Sequence, residues 1–220
     1  MTKTIGCLHA HHSNIGYVER ALGSYSAELV HFVDPGLIRR MSADAAFGSE
    51  QAGDRVAEQL AWIARTNVDA ILITCTNYIA LLDAERERAI AVPVVKVDEP
   101  FFADVCDYPV PPTLLFTNPA TVEGTMARLR AYATARGQTI RAEARIVPDA
   151  FELIMRGENE RYADAVSRSL RELLAAPGAK PAFVAQLSMV DAAEAVEREL
   201  GARVGNPLKP LAEAVRAALG

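Results

Sequence analysis

One cysteine, a run of histidines and several polar strand ends are the residues here whose types and spacing can do chemistry. Cys75 follows the most apolar run in the chain, residues 70–74, and precedes Thr76, Asn77 and a helix that is expected to start near Tyr78. A thiol at a helix N-terminus feels the positive end of the macrodipole, which favours the thiolate. The backbone N–H groups of the next turn, with the Thr76 and Asn77 side chains, are suited to a carboxylate. A polarisable base beside an anion site is what proton removal alpha to a carboxylate needs, because enediolate charge builds up as the proton leaves. The competing reading makes Cys75 a small buried hydrophobe and Thr76 and Asn77 a plain helix cap. Cys7 and Cys106 read as packing residues.

His9, His11 and His12 crowd the end of the first expected strand. The two-residue spacing of His9 and His11 invites a metal, but a zinc site would need further ligands from elsewhere, so no metal is expected. His31, inside the second expected strand, is a poor candidate ligand. Ser13 and Asn14 are expected to cap the helix beginning near Ile15 and to present N–H groups to a substrate anion. Asp98 and Glu99 read as a helix start, and Asp149 as the cap of another helix. No GxGxxG or GxxxxGK pattern follows any expected strand, which removes nucleotide-dependent enzymes.

The elements that must position these residues alternate along the chain. Apolar runs at residues 4–9, 28–33, 70–74, 92–97, 113–117, 142–147 and 182–186 read as strands covered on both faces. Between them lie helical stretches, such as residues 49–65 with Val56, Leu60 and Ile63 on one stripe. Residues 159–174, with Tyr162, Val166, Leu170 and Leu173, form another. Such alternation implies right-handed βαβ units and parallel sheets, an α/β fold. Three prolines in residues 107–112 read as a linker between two halves. The halves look like a distant duplication, since the strands at 4 and 113 correspond, as do those ending at Cys75 and Gln186. Ligand is then expected between two lobes, at the carboxyl ends of the strands: His9 to Asn14, Thr74 to Asn77, Asp98 and Glu99, Thr117 and Asn118, and Gln186 to Ser188.

Composition narrows the partners. With 220 residues, 50% of them hydrophobic, and a net charge of -5, the chain is neither disordered nor basic enough for nucleic acid or an anionic membrane. No apolar run approaches the ~20 residues that span a bilayer. The opening residues lack a signal-peptide layout, and three scattered cysteines do not make a disulfide framework, so a cytoplasmic protein is expected.

Residues 67–78 (NVDAILITCTNY) resemble the first cysteine motif of the aspartate/glutamate/hydantoin racemase superfamily, which also includes arylmalonate decarboxylases and maleate isomerases. Residues 117–124 (TNPATVEG) are similar to the threonine-rich turn that opens its second lobe. Residues 206–215 (NPLKPLAEAV) resemble its terminal helix, which returns to the first lobe. The resemblance covers nearly the whole chain. It implies two pseudo-symmetric α/β lobes, residues 1–107 with 206–220 and residues 113–205, acting on a small carboxylate without cofactor or metal, as a homodimer. In the glutamate racemases the first strand ends in an aspartate set against the first cysteine; here IGCLH puts His9 there, where an imidazole can stabilise the Cys75 thiolate or relay a proton. Thr76, Asn77, Thr117 and Asn118 would supply donors to the developing charge.

One departure limits the reaction. Where the resemblance implies a second cysteine, the sequence FVAQLSM has Gln186, followed by Ser188. A glutamine hydrogen-bonds but is neither acid nor base near neutral pH. The expectation is therefore an isomerase with one catalytic thiol, Cys75, acting by proton transfer or by thiolate attack. The alternatives are a single-cysteine decarboxylase of the same fold and a carboxylate-binding protein without turnover.

Overall fold

The chain is seen in a computed structural model that describes residues 2–219. It divides into two units: residues up to Glu99 with those from Pro210 onward, and residues Pro100–Lys209. In order, the first unit contains β1 (Lys3–His9), α1 (Asn14–Leu22), β2 (Ala27–Val33), α2 (Gly36–Ala43), α3 (Ser49–Ala64), β3 (Ala70–Ile73), α4 (Thr76–Leu81), α5 (Ala84–Arg88) and β4 (Val94–Lys96). Its four strands are parallel, in the order β2-β1-β3-β4. The central strands explain why the fold forms: residues Gly6 to His9 and all of Ala70–Ile73 are buried, since helices cover both faces. The expected stripe Val56, Leu60 and Ile63 is the buried face of α3.

The second unit begins at Pro100, within α6 (Asp98–Cys106), and continues with β5 (Thr113–Phe116), α7 (Val122–Ala135), β6 (Glu143–Ile146), α8 (Ala150–Met155), α9 (Asn159–Ala175), β7 (Ala182–Val184), α10 (Val190–Leu200) and β8 (Val204–Gly205). Its parallel order, β6-β5-β7-β8, repeats that of the first unit. The last helix, α11 (Leu211–Leu219), packs on α1, β3 and β4 of the first unit. Phe101, Phe102 and Val105 of α6 join Leu114, Phe116 and Phe183 in one apolar cluster, so the proline-rich residues 107–112 run within the second unit, from α6 to β5.

Two strand expectations are corrected. β6, expected to be covered on both faces, is an edge strand whose four residues are all exposed. An eighth strand, β8, was not expected; it is a Val-Gly pair too short to leave a pattern. Its glycine is required by close approach, because a Cβ at Gly205 would lie 2.1 Å from the Phe183 ring. That ring is wedged edge-on against Phe101 and Tyr108 and cannot move away cheaply. Gly205→Ala is therefore expected to cost about 1–3 kcal/mol by overpacking, read as a lower urea midpoint; an unchanged midpoint would contradict this packing.

Candidate functional site

In the first unit the polar residues gather where β1 and β3 end. Thr74, the residue after β3, is buried, and its hydroxyl lies within hydrogen-bond reach of the Leu8 carbonyl (3.2 Å) and of His9 Nδ1 (2.9 Å). The same oxygen accepts from Asn14 Nδ2 (3.3 Å). A hydroxyl has one proton, so it donates either to the Leu8 carbonyl or to His9 Nδ1, and the His9 tautomer decides which. The other ring nitrogen, His9 Nε2, pairs with His31 Nδ1, 2.9 Å away. Burial, with His31 alongside, pulls the His9 pKa down to about 4, so the ring is neutral near pH 7. His31 is also lowered by burial, against the opposing pull of Glu19.

Cys75 follows directly, partly exposed, as the N-cap of α4. The first intrahelical bond runs from Ile79 N–H to the Cys75 carbonyl (3.0 Å), so the N–H groups of Thr76, Asn77 and Tyr78 precede the helical ladder. Thr76 is half-buried and Asn77 exposed. Tyr78 is buried, and its hydroxyl donates to the Asp34 carbonyl, which fixes the turn from below. Burial first, then the nearby Asp34 and Cys75, pushes the Tyr78 phenol above its ordinary range.

Several sequence expectations change here. Both His9 ring nitrogens are taken up by Thr74 and His31, so the imidazole works on the Thr74 hydroxyl instead of meeting the Cys75 thiol through a ring nitrogen. Ser13 makes no capping bond; its hydroxyl pairs with His11 Nδ1 (2.8 Å) on the exposed side. Asn14 is drawn to Thr74. Asp149 precedes α8 in a left-handed conformation and makes no side-chain cap. His31, set aside in the sequence, is a direct partner of His9. Only the register reveals this: β1 and β2 pair with Cys7 opposite His31. Cys7 is fully buried, which pushes its thiol up to about 12. Cys106 lies against the aromatic cluster, and burial raises its thiol as well.

The second unit repeats the plan with different chemistry. In the first sheet Leu8 pairs with Ile73, and in the second Leu115 pairs with Val184; Cys75 and Gln186 each lie two residues beyond that pair. Gln186 Oε1 accepts from the Thr117 N–H (2.7 Å), the Thr117 hydroxyl (2.9 Å) and the Asn118 N–H (3.2 Å). Two backbone N–H groups aimed at one atom fix the amide orientation, since an NH2 there would set donor against donor. With its own proton committed to Gln186, Thr117 Oγ1 accepts from the Tyr162 hydroxyl (3.3 Å), which in turn accepts from Ser188 (2.7 Å). Thr117 and Asn118, expected to hold a substrate anion, thus have their backbone donors filled by Gln186. Sequence reasoning also passed over Asn206, fully buried at the end of β8, whose Oδ1 caps the turn to Leu208 and Lys209.

No protein-family model matches the sequence, and no curated protein matches it. Solved structures do match across almost the full length. An aspartate racemase from Picrophilus torridus aligns with TM-score 0.68 at 10% identity, covering 98% of this chain and 94% of that one. A glutamate racemase from Francisella tularensis in complex with D-glutamate gives 0.65 at 13%, covering 99% and 81%. An arylmalonate decarboxylase gives 0.63 at 17%, covering 99% and 93%. The chain therefore has the fold of the aspartate/glutamate racemases and arylmalonate decarboxylases. No helix among the described residues is long and apolar enough to cross a membrane.

The Thr74 hydroxyl gives a direct test of this geometry. Thr74→Val keeps the shape but strands His9 Nδ1 and the Asn14 amide, at a cost of about 1–3 kcal/mol. Thr74→Ser is expected to restore most of that loss in urea unfolding, and equal stability of the Val and Ser variants would contradict the hydroxyl's role.

Proposed function

We propose that this protein is a cofactor-independent isomerase, of the racemase type, that acts on a small carboxylate through the single thiol Cys75. The observation that carries the reading is the position of Cys75: partly exposed, at the N-cap of α4, directly after a threonine whose hydroxyl meets Leu8 and His9 of β1 and Asn14 of α1. A thiolate there can take or return a proton at a carbon alpha to a carboxylate, or add to a conjugated double bond. The N–H groups at the start of α4, with Thr76 and Asn77, receive the carboxylate charge that grows as the proton leaves. In this proposal His9 is a positioning residue that acts through Thr74.

Gln186 shapes the reaction by what it lacks. It stands at the strand position equivalent to Cys75 in its own sheet and holds no proton to exchange. Its Oε1 is fastened by three donors, and its Nε2 is assigned to the substrate as a neutral hydrogen-bond donor. This supports chemistry in which one thiol handles the proton. It also favours one second reading: decarboxylation of a malonate-type acid, where Cys75 need only protonate the enediolate on one face.

The test is a panel of amino acids, hydantoins, maleate and arylmalonates in deuterium oxide, followed by NMR for alpha-deuterium uptake, isomerisation and loss of CO2. Cys75→Ser is expected to lower turnover by ~10²–10⁴-fold with the fold intact. Full activity of Cys75→Ala would overturn the proposal, and so would binding without turnover across the panel. Gln186→Glu keeps an oxygen in the donor cradle but turns the outward donor into an acceptor. It is expected to raise KM by roughly 10–100-fold, in line with the loss of a hydrogen bond to a charged group, and an unchanged KM would remove Gln186 from substrate binding.

A further inference from the structure

The geometry points to a second site in the first unit: Cys7, His9 and His31 bind one thiophilic d10 cation, zinc(II) or copper(I), as a staple between β1 and β2. Cys7 and His9 are two apart on β1 and so share a face, and the strand register puts His31 opposite Cys7. One sulfur and two imidazole nitrogens come to lie within 4.8 Å of one another. Zinc ligands at roughly 2.0–2.3 Å stand about 3.3–3.8 Å apart, so the 2.9 Å between the two imidazoles need open only slightly.

The outward nitrogens suit a metal as well as the inward pair does. A histidine that binds metal through one nitrogen gives the proton on the other to an acceptor, which sets the tautomer. His9 Nδ1 has the Thr74 hydroxyl oxygen at 2.9 Å to receive its proton. His31 Nε2, buried and without a hydrogen-bond partner, faces the Glu19 carboxylate at 3.9 Å. With both inward nitrogens on the ion, His9 carries its proton on Nδ1 toward Thr74 and His31 carries its proton on Nε2 toward Glu19.

The donor set selects the ion. Thiolate with two imidazoles suits copper(I) and zinc(II), not magnesium or calcium, which take oxygen ligands. Copper(I) accepts three ligands and forms a neutral site with the thiolate; zinc(II) would add a water as its fourth ligand. Binding replaces the Cys7 thiol proton, which passes to solvent, and the proton lying between His9 Nε2 and His31 Nδ1 shifts to the outward nitrogen of its own ring. One proton is released per ion, and nothing is oxidised or reduced. His11 and His12, exposed, stand outside the cluster.

The test uses the full chain, reduced and stripped of metal. It is titrated anaerobically with zinc(II) and with copper(I) against a competing chelator, and cobalt(II) reports thiolate ligation by its charge-transfer absorption. Expected is one equivalent bound with Kd below ~1 μM and therefore a raised thermal midpoint. His31→Gln, at the edge strand, should abolish binding, and Cys7→Ala should remove the cobalt–thiolate band. Cys75→Ser should keep both, which separates this site from the proposed catalytic thiol. Binding of only one of the two ions identifies the cation. The proposal is overturned if neither ion binds at one equivalent, if His31→Gln binds as well as the parent, or if Cys75→Ser abolishes binding.

Discussion

The buried Thr74 hydroxyl gathers the Leu8 carbonyl, the His9 ring and the Asn14 amide around one oxygen. From that constraint the arrangement of polar groups in the first unit follows. Asn14 must turn its NH2 inward, and the single hydroxyl proton couples Thr74 to the His9 tautomer and, through the ring, to the bond between His9 and His31. The bonds tie the end of β3 to the end of β1 at the last buried position before the chain emerges. Cys75 is the next residue and inherits that rigidity, which matters because a base or nucleophile misplaced by ~1 Å loses much of its effect.

The second unit uses the same strand order and the same register to deliver a different group. Where the first sheet presents a thiol, the second presents a glutamine whose oxygen is held by two backbone N–H groups and a hydroxyl. A chain of donated protons from Ser188 through Tyr162 to Thr117 ends on that oxygen. Repetition of the strand order therefore does not carry repetition of the chemistry. One sheet offers a group that can exchange a proton, and the other offers only a fixed dipole.

The strands that carry these residues were legible because parallel strands buried on both faces need unbroken apolar runs, and Ala70–Ile73 is such a run. Cys75 was legible for the same reason, as the first polarisable side chain after it. What escaped depended on register or on competition between polar groups. The His31 contact follows from the pairing of β1 with β2, which no local pattern encodes. Ser13 has the right type and place for a helix cap, yet His11 claims its hydroxyl. Gln186 was visible as a missing thiol, but that its oxygen would fill the Thr117 and Asn118 donors depends on side-chain geometry. β8 is two residues long and leaves no periodicity.

The central claim is that Cys75 is a reactive thiol beside a carboxylate-binding turn. Alkylation with iodoacetate and with iodoacetamide, followed by peptide mass spectrometry, tests it most directly. An ordinary surface thiolate reacts more slowly with the anionic reagent, whereas a thiol next to carboxylate donors reverses that order. The account predicts preferential modification of Cys75 over Cys7 and Cys106, faster with iodoacetate, and slowed by any acid the protein turns over. Faster reaction at Cys106, or no preference for the carboxylate reagent at Cys75, would contradict it.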